Sequence, residues 1–265
     1  MGTILDTLRE KSIARVEAAK REKPLAQMRA EAENLTKNTG FPFEAAIGKS
    51  GLSFICEVKK ASPSKGIIAE DFPYLDIAKE YAAGGADAIS VLTEPEYFMG
   101  DTRYLREISK SVNVPTLRKD FIVDDYQIYE AKVCGAAAVL LIVSILSETD
   151  LKAFIKLAET LGMSALVEAH TADEIKVAAH CGGGAKIIGV NNRNLSDFSV
   201  DTENAAKLRA AVPPGILYVS ESGIKGKDDI IRAKNIGADA VLIGESLMRA
   251  EDKAAFIREL KHYAD

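Results

Sequence analysis

An α/β chain closed as a (β/α)8 TIM barrel with an N-terminal helical extension is the fold this sequence predicts, and three observations predict it. From about residue 50 onward, short apolar runs rich in Val, Ile and Leu alternate with stretches of helical period, the pattern of a parallel sheet with right-handed crossovers. Eight such units follow one another at a mean spacing of about 27 residues, room for one strand, one helix and two short loops. No glycine-rich dinucleotide fingerprint follows the first run, so an open doubly wound sheet fits less well than a closed barrel.

The apolar runs are Ser53–Cys56, Ala88–Leu92, Val114–Leu117, Ala136–Val143, Ser164–Val167, Lys186–Val190, Ile216–Val219 and Ala240–Ile243. They are short and bounded by turn residues, as buried parallel strands are. The helix-period segments are Leu75–Ala83, Thr102–Ser111, Asp125–Cys134, Glu148–Leu161, Ala172–His180, Thr202–Ala211, Lys227–Ile236 and Asp252–His262. Ser147 and Thr171 stand where N-caps belong, each followed by acidic residues that suit a helix start. Gly135, Gly162 and Gly237 stand where helices stop. Residues 1–50 fall outside the repeat. Ile4–Ala19 carries Ile4, Leu5, Leu8, Ile13 and Val16 on one side, and a second helical stretch runs to about Leu35. The segment Phe41-Pro42-Phe43-Glu44-Ala45-Ala46-Ile47 leads into the first strand. This extension either plugs one face of the barrel or helps to wall a pocket, and the two are compatible. The whole chain, residues 1–265, is expected to be a single barrel domain, with residues 1–50 as its extension.

Composition narrows the function. Charges of both signs are interspersed and the net charge is −5, which gives no electrostatic footprint for nucleic acid. The longest apolar run, Ala136 to Val143, is strand-sized, so no membrane partner is expected. The three cysteines contain no C-x-x-C pair, and the first residues lack an apolar signal stretch, so a reducing cytoplasm is the expected setting. There is no H-E-x-x-H, no His or Cys cluster and no Walker loop, and neither metal nor cofactor is expected. His170, His180 and His262 are isolated; His170 follows Glu168 and reads as a loop residue.

In barrels of this kind the working groups stand at the C-terminal strand ends. Alternation along the first strand puts Glu57 and Lys59 on the interior face and Cys56 and Val58 on the outer one, which makes Cys56 a packing residue. An inward carboxylate and ammonium must pair or meet a charged ligand, because an unpaired buried charge is costly. Lys119 shares the parity of Leu117, Glu168 ends the fifth run, and Asn191 and Arg193 share a parity after the sixth. A single polar residue at such a place is usually a loop residue or a cap. Two carboxylates, two ammoniums, an amide and a guanidinium at four strand ends together describe a site with acid and base partners. Gly223 and Gly244, after the seventh and eighth runs, are either plain turn glycines or points where the backbone meets an anion. Ser62-Pro63-Ser64-Lys65-Gly66 either adds a hydroxyl and a charge or is a rigid turn.

The motifs Glu57-Val58-Lys59 with Ser62-Pro63-Ser64, Val91-Leu92-Thr93-Glu94 through Tyr97-Phe98-Met99-Gly100, Lys119-Asp120-Phe121-Ile122, Leu166-Val167-Glu168, Ile188 through Leu195, Ser220-Glu221-Ser222-Gly223-Ile224 and Gly244-Glu245-Ser246-Leu247-Met248 occur in one order over the whole chain. In this the sequence resembles the indole-3-glycerol phosphate synthase family, whose helical N-terminal extension it also shares. The resemblance implies ring closure, decarboxylation and dehydration of 1-(2-carboxyphenylamino)-1-deoxyribulose 5-phosphate, a phosphorylated small molecule, by a monomer without cofactor. It implies that Lys119 protonates the ribulose carbonyl oxygen. Lys59, paired with Glu57, would meet the substrate carboxylate and supply an acid, while Glu168 is the base with Asn191 orienting. It gives Ser62, Arg193, Ser222, Gly223 and Gly244 to substrate and phosphate, and Phe98 and Leu140 to an apolar slot for the anthranilate ring. Leu140 is equally readable as a barrel-core residue. Some relatives have Ser at the position of Glu245; a carboxylate would repel phosphate, so only the backbone amide of Glu245 is assigned and its side chain is expected to turn away. A sister barrel such as phosphoribosylanthranilate isomerase would want a cysteine at the first strand end, where Cys56 has the wrong parity. A phospho-ligand binding module would have no need of Lys119 and Glu168, and a partner-binding scaffold would need neither.

Overall fold

The computed structural model describes residues 4–193 and 199–264. Asn194 and Leu195, which close the fifth motif, lie outside the described residues. Eight parallel strands form a closed ring: β1 (Ser53–Val58), β2 (Ala88–Leu92), β3 (Thr116–Lys119), β4 (Ala138–Ile142), β5 (Ser164–Ala169), β6 (Ile187–Asn191), β7 (Leu217–Glu221) and β8 (Ala240–Ile243). Each pairs with its neighbours in sequence, and β1 pairs with both β2 and β8, which closes the barrel. The expected (β/α)8 architecture is therefore the one observed.

Side chains of each strand alternate between two cores, as a period of two demands. Ile55, Leu117, Leu140, Leu166, Ile187, Val219 and Leu242 fill the barrel interior. Phe54, Cys56, Val58, Val139, Val167, Ile188 and Val241 face the helices. Cys56 is buried in that outer layer, where burial pushes its thiol well above the usual range, as an inert packing cysteine would be. Several strands run further than their apolar stretches, into the polar residues Glu57, Lys119, Glu168, Asn191 and Glu221, because ladder bonds depend on backbone and not on side-chain polarity. β3 also starts two residues later than its apolar run. Pro115 has no N–H for the ladder and serves only as an acceptor, for the Ile89 amide.

The outer helices are α4 (Tyr74–Gly84), α5 (Thr102–Ser111), α6 (Asp125–Val133), α7 (Glu148–Thr160), α8 (Ala172–His180), α9 (Asn204–Leu208), α10 (Lys227–Asn235), α11 (Glu245–Arg249) and α12 (Lys253–His262). Ser147 and Thr171 cap α7 and α8 as expected, accepting the amides of Asp150 at 3.1 Å and Glu174 at 3.2 Å. Gly135, Gly162 and Gly237 take left-handed backbone just after α6, α7 and α10. The segment expected as one helix over Thr202–Ala211 is instead the five-residue α9 followed by a 3-10 turn, Arg209–Ala211.

The extension comprises α1 (Ile4–Glu22), α2 (Leu25–Glu33) and α3 (Pro42–Ile47), and it serves both ends of the barrel. α3 was not evident from periodicity because it has only six residues; Pro42 at its first turn suits a helix start. Its Phe43 and Ile47 are buried with the interior residues Ile55 and Ala88, and Ser53 donates to the Ala46 and Ile47 carbonyls. α3 thus closes the N-terminal end. α1 lies at the opposite end, where Arg9 Nε donates to the Ile145 carbonyl at 3.3 Å and Leu8 joins the interior cluster.

Polar contacts hold α1 there. Ser12 Oγ donates to the Phe121 carbonyl at 2.5 Å and Arg15 Nη2 to Asp120 Oδ1 at 2.6 Å. Asp120 also accepts from Thr93 Oγ1 at 2.6 Å, from Arg118 Nη2 at 3.0 Å and from the Phe121 amide at 2.8 Å. Burial works against its charge, but Arg15 and Arg118 outweigh it and hold the carboxyl down at about 2. Arg118 and Asp120, on either side of Lys119, thus root the end of β3 in the outer layer. Asp120→Ala would strip the buried Arg118 of one of its two carboxylates, leaving Glu130 and the Gln127 carbonyl, and would free Arg15; a urea unfolding curve is expected to lose about 3–5 kcal/mol, the usual cost of breaking a buried pair.

Candidate active site

The charged side chains gather where β1, β3, β5 and β7 end. These four alternate strands carry Glu57, Lys119, Glu168 and Glu221, each two residues beyond an apolar interior residue: Ile55, Leu117, Leu166 and Val219. A charged rim therefore sits on an apolar floor, the layering that alternate strands impose on a barrel of this type.

Lys119 is the centre of the rim. Its Nζ lies 2.8 Å from Glu168 Oε2 and 3.2 Å from Glu221 Oε2. Burial opposes the ammonium, but Glu168, Glu221 and Glu57 together hold its proton far more tightly than usual. Glu168 is almost wholly buried. Burial alone would raise its pKa, yet Lys119 and His170 keep it well below the ordinary carboxylate range. Its Oε1 accepts from Asn191 Nδ2 at 3.0 Å, and Asn191 Oδ1 in turn accepts the Arg193 amide at 2.9 Å. On β1, Lys59 Nζ donates to Glu57 Oε1 at 2.5 Å. The five residues expected to carry chemistry are thus together at one end, and Glu57, Lys59 and Lys119 turn inward as strand alternation predicts.

Two residues escaped the sequence reading. Glu221 has the same parity and position as Glu57 and Glu168, a signal that was available but was masked by the neighbouring Ser222-Gly223. Burial, then the carboxylates of Glu168 and Glu57, push its pKa up to about 7 against the pull of Lys119. Its Oε1 is buried without a hydrogen-bond partner among the described residues. Gly189 of β6 makes room for it, since a β-carbon there would collide with that oxygen. His170 is more than a loop residue, contrary to expectation: Nε2 stands 3.3 Å from Glu168 Oε1. Its chain position after a strand end looks like any loop, and only the folded chain reveals the contact.

The remaining expected residues surround the same mouth. Ala61–Ser62 pairs antiparallel with Gly66–Ile67 in a small hairpin, and Arg193 Nη1 donates to Ser64 Oγ of that hairpin at 3.3 Å. Phe98 stacks at a tilt 6.1 Å from Phe121 and packs on the interior cluster, which also holds Leu140. The Phe98 loop is fixed by Glu94, whose carboxylate accepts the amides of Glu96, Tyr97 and Phe98 at 2.7–2.9 Å. Ser222 and Gly223 both take left-handed backbone, with φ of 65° and 81°. A β-carbon at Gly244 would lie 2.5 Å from Glu57 Oε1 and 3.0 Å from Lys59 Nζ, so this glycine is also what admits the Glu57–Lys59 pair. The Glu245 carboxylate engages Arg249 at 3.2 Å and Lys65 at 3.7 Å.

Among the described residues, no helix is long and apolar enough to cross a membrane. In fold the chain is similar to 3-hexulose-6-phosphate synthase of Salmonella typhimurium, with a TM-score of 0.65 at 13% identity over 80% of this chain and 98% of that one. It is also similar to thiamine phosphate pyrophosphorylase of Pyrococcus furiosus, with a TM-score of 0.59 at 19% identity over 80% of this chain and 95% of that one. At such identities these likenesses bear on the barrel alone. In sequence it is 52% identical over 258 residues to an indole-3-glycerol phosphate synthase of Ruminiclostridium cellulolyticum, covering 97% of this chain and 98% of that protein. It is 53% identical over 260 residues to the enzyme of the same name from Endomicrobium trichonymphae, covering 97% and 99%. The family profile described as indole-3-glycerol phosphate synthase matches residues 5–260, and the chain belongs to that family.

Proposed function

We propose that the chain converts 1-(2-carboxyphenylamino)-1-deoxyribulose 5-phosphate to indole-3-glycerol phosphate, CO2 and water, with its chemistry at the Lys119 rim. The observation that carries this reading is the Lys119–Glu168–Asn191 chain, 2.8 Å and 3.0 Å link by link, beside the Glu57–Lys59 pair. Two of the three N–H donors of Lys119 are engaged by Glu168 and Glu221, leaving one for the ribulose carbonyl oxygen. As the aromatic carbon attacks, that oxygen becomes an alkoxide more basic than the ammonium, so even a tightly held proton moves to it. Lys59 holds the substrate carboxylate until ring closure makes loss of CO2 productive. Loss of CO2 restores the benzene ring; Lys59 then acts as the acid for the departing hydroxyl, while Glu168 takes the C–H proton whose loss makes the new five-membered ring aromatic. Asn191, bonded to Glu168, orients that base.

Three carboxylates against two lysines would leave the rim with excess negative charge. Glu221, with a pKa of about 7, relieves this by carrying a proton near neutrality. A limb near pH 7 is therefore expected in the profile of kcat/KM, which reports the free enzyme, and Glu221→Gln is expected to remove it; a limb that persists in the variant belongs to another group.

For the rest of the substrate, Arg193, Ser62 and the backbone at Ser222, Gly223, Gly244 and Glu245 hold the phosphate and ribulose hydroxyls, and the left-handed bend at Ser222 and Gly223 turns amides toward an anion. Phe98 and Leu140 take the anthranilate ring. The engagement of the Glu245 carboxylate by Arg249 and Lys65 supports its exclusion from the phosphate site. We assign a monomer in the cytoplasm; the free Cys56, Cys134 and Cys181 fit a reducing compartment. Incubation with the carboxyphenylamino substrate tests the reading directly: indole fluorescence is expected to rise with enzyme concentration, and a silent assay with a folded protein refutes it.

A further inference from the structure

We infer that His170 is a positioning residue for Glu168: as an imidazolium it bridges the base to Glu174 on α8, so that the first turn of this helix holds the Glu168 carboxylate ionised and aimed at Lys119. This rests on the reading of Glu168 as the base.

The geometry comes from two separate anchors. His170 Nε2 lies 3.3 Å from Glu168 Oε1 and Nδ1 lies 3.5 Å from Glu174 Oε2. Glu174 is itself fixed without help from the ring. Its amide donates to the N-cap Thr171 Oγ1 at 3.2 Å, and its Oε2 accepts the His170 backbone N–H at 2.6 Å, a reciprocal arrangement close to a capping box. What the imidazole adds is only the link from this fixed carboxylate to Glu168.

The ring must be charged to make that link. Both ring nitrogens are buried, and neither has an aligned hydrogen-bond acceptor among the described residues, so the two carboxylates are the charges they meet. A neutral imidazole would turn one lone pair toward a carboxylate; the doubly protonated ring presents positive charge to both. Burial lowers the basicity of the ring, but Glu168 and Glu174 outweigh it and raise its pKa to about 10. The groups that face this unit are Glu168 of β5, Glu174 of α8, Asn191 of β6 on Glu168 Oε1 and Lys119 of β3 on Glu168 Oε2.

The need for a second cation follows from the proposed chemistry. When Lys119 gives its proton to the substrate oxygen, Glu168 loses the cation on Oε2 while still buried beside Glu221. Burial and the neighbouring carboxylate then favour a protonated, useless base. His170 on Oε1 opposes this at the moment when the base is required.

The test is the pH profile of kcat for His170→Gln, which keeps a polar side chain and removes the charge. Its acid limb is expected to rise by about one pH unit, and kcat at a pH inside that interval to fall by up to about tenfold, the equivalent of one unit of pKa. KM is expected to stay near the parent value, since the ring touches no substrate. Glu174→Gln, which keeps the helix start and loosens the anchor, is expected to move the limb the same way by less, and gives the reading if His170→Gln does not fold. An acid limb that coincides with the parent's overturns the inference. Glu168→Gln, measured alongside, separates the two claims. If it keeps turnover, the base assignment fails; if it is inactive while the limb of His170→Gln stays unmoved, only the positioning role fails.

Discussion

Lys119→Ala is expected to lower kcat by about 10²–10⁴-fold, the range of a positioned acid, or about 3–5 kcal/mol of transition-state stabilisation. The size of the effect follows from what remains after the change. Lys119 is the ammonium that Glu168 and Glu221 share, at 2.8 Å and 3.2 Å, while Lys59 is paired with Glu57. Lys59 is engaged by Glu57 and His170 by Glu168 Oε1, so among the described residues neither takes its place against an oxyanion forming between these carboxylates. Water admitted by the smaller side chain solvates the oxyanion less well than a fixed charge, because it must reorganise as the charge develops. Removing the ammonium also leaves two buried carboxylates facing each other, so Glu168 and Glu221 are expected to share a proton and the remaining activity to decline further as pH rises. Steady-state indole formation checks the first claim and its pH profile the second. Turnover within a few-fold of the parent removes Lys119 from the mechanism.

Glu168→Gln is expected to cost kcat a factor in the same range of about 10²–10⁴ while changing KM little. The substitution is nearly isosteric. The single glutamine oxygen can still accept from Lys119 Nζ while the NH2 takes the place of Oε1, so the rim keeps its shape at the cost of the Asn191 bond, but an amide cannot take a proton. Ring closure and loss of CO2 do not need the base, whereas loss of water does. The intermediate between them is therefore expected to accumulate, with CO2 released in a burst and indole fluorescence lagging behind it. Equal suppression of CO2 and indole would instead place Glu168 at or before ring closure. A thermal unfolding midpoint close to the parent's would show that the loss is chemical and not structural.

How much of this site could be read before folding is clear from individual residues. Glu57, Lys59, Lys119, Glu168 and Asn191 were legible because strand parity is a local property: a residue two or four positions beyond an interior Ile or Leu must point inward too. The same rule reaches Glu221, and what hid it was a nearby glycine that looked more important. Gly244 was readable only as a bend that brings backbone to an anion. Its second task, making room for the Glu57–Lys59 pair, involves atoms nearly two hundred positions away in the chain. Asp120 and Arg118 read as ordinary charges beside Lys119, and nothing local reveals that Arg15 of α1 completes their buried network.

The amino-acid order thus settled the periodicity, the eight units, the helix caps and the face to which each strand residue turns, since all of these depend on steric and hydrogen-bonding preferences within a few residues. Protonation states and partnerships waited for the chain to close. Whether a carboxyl such as Glu221 is lifted to about 7 or one such as Glu168 is held far below its usual range depends on how water is excluded and which distant charges arrive within a few ångströms. Coulomb energy and desolvation are set by separation in space, and in a closed barrel that separation bears no relation to separation along the chain.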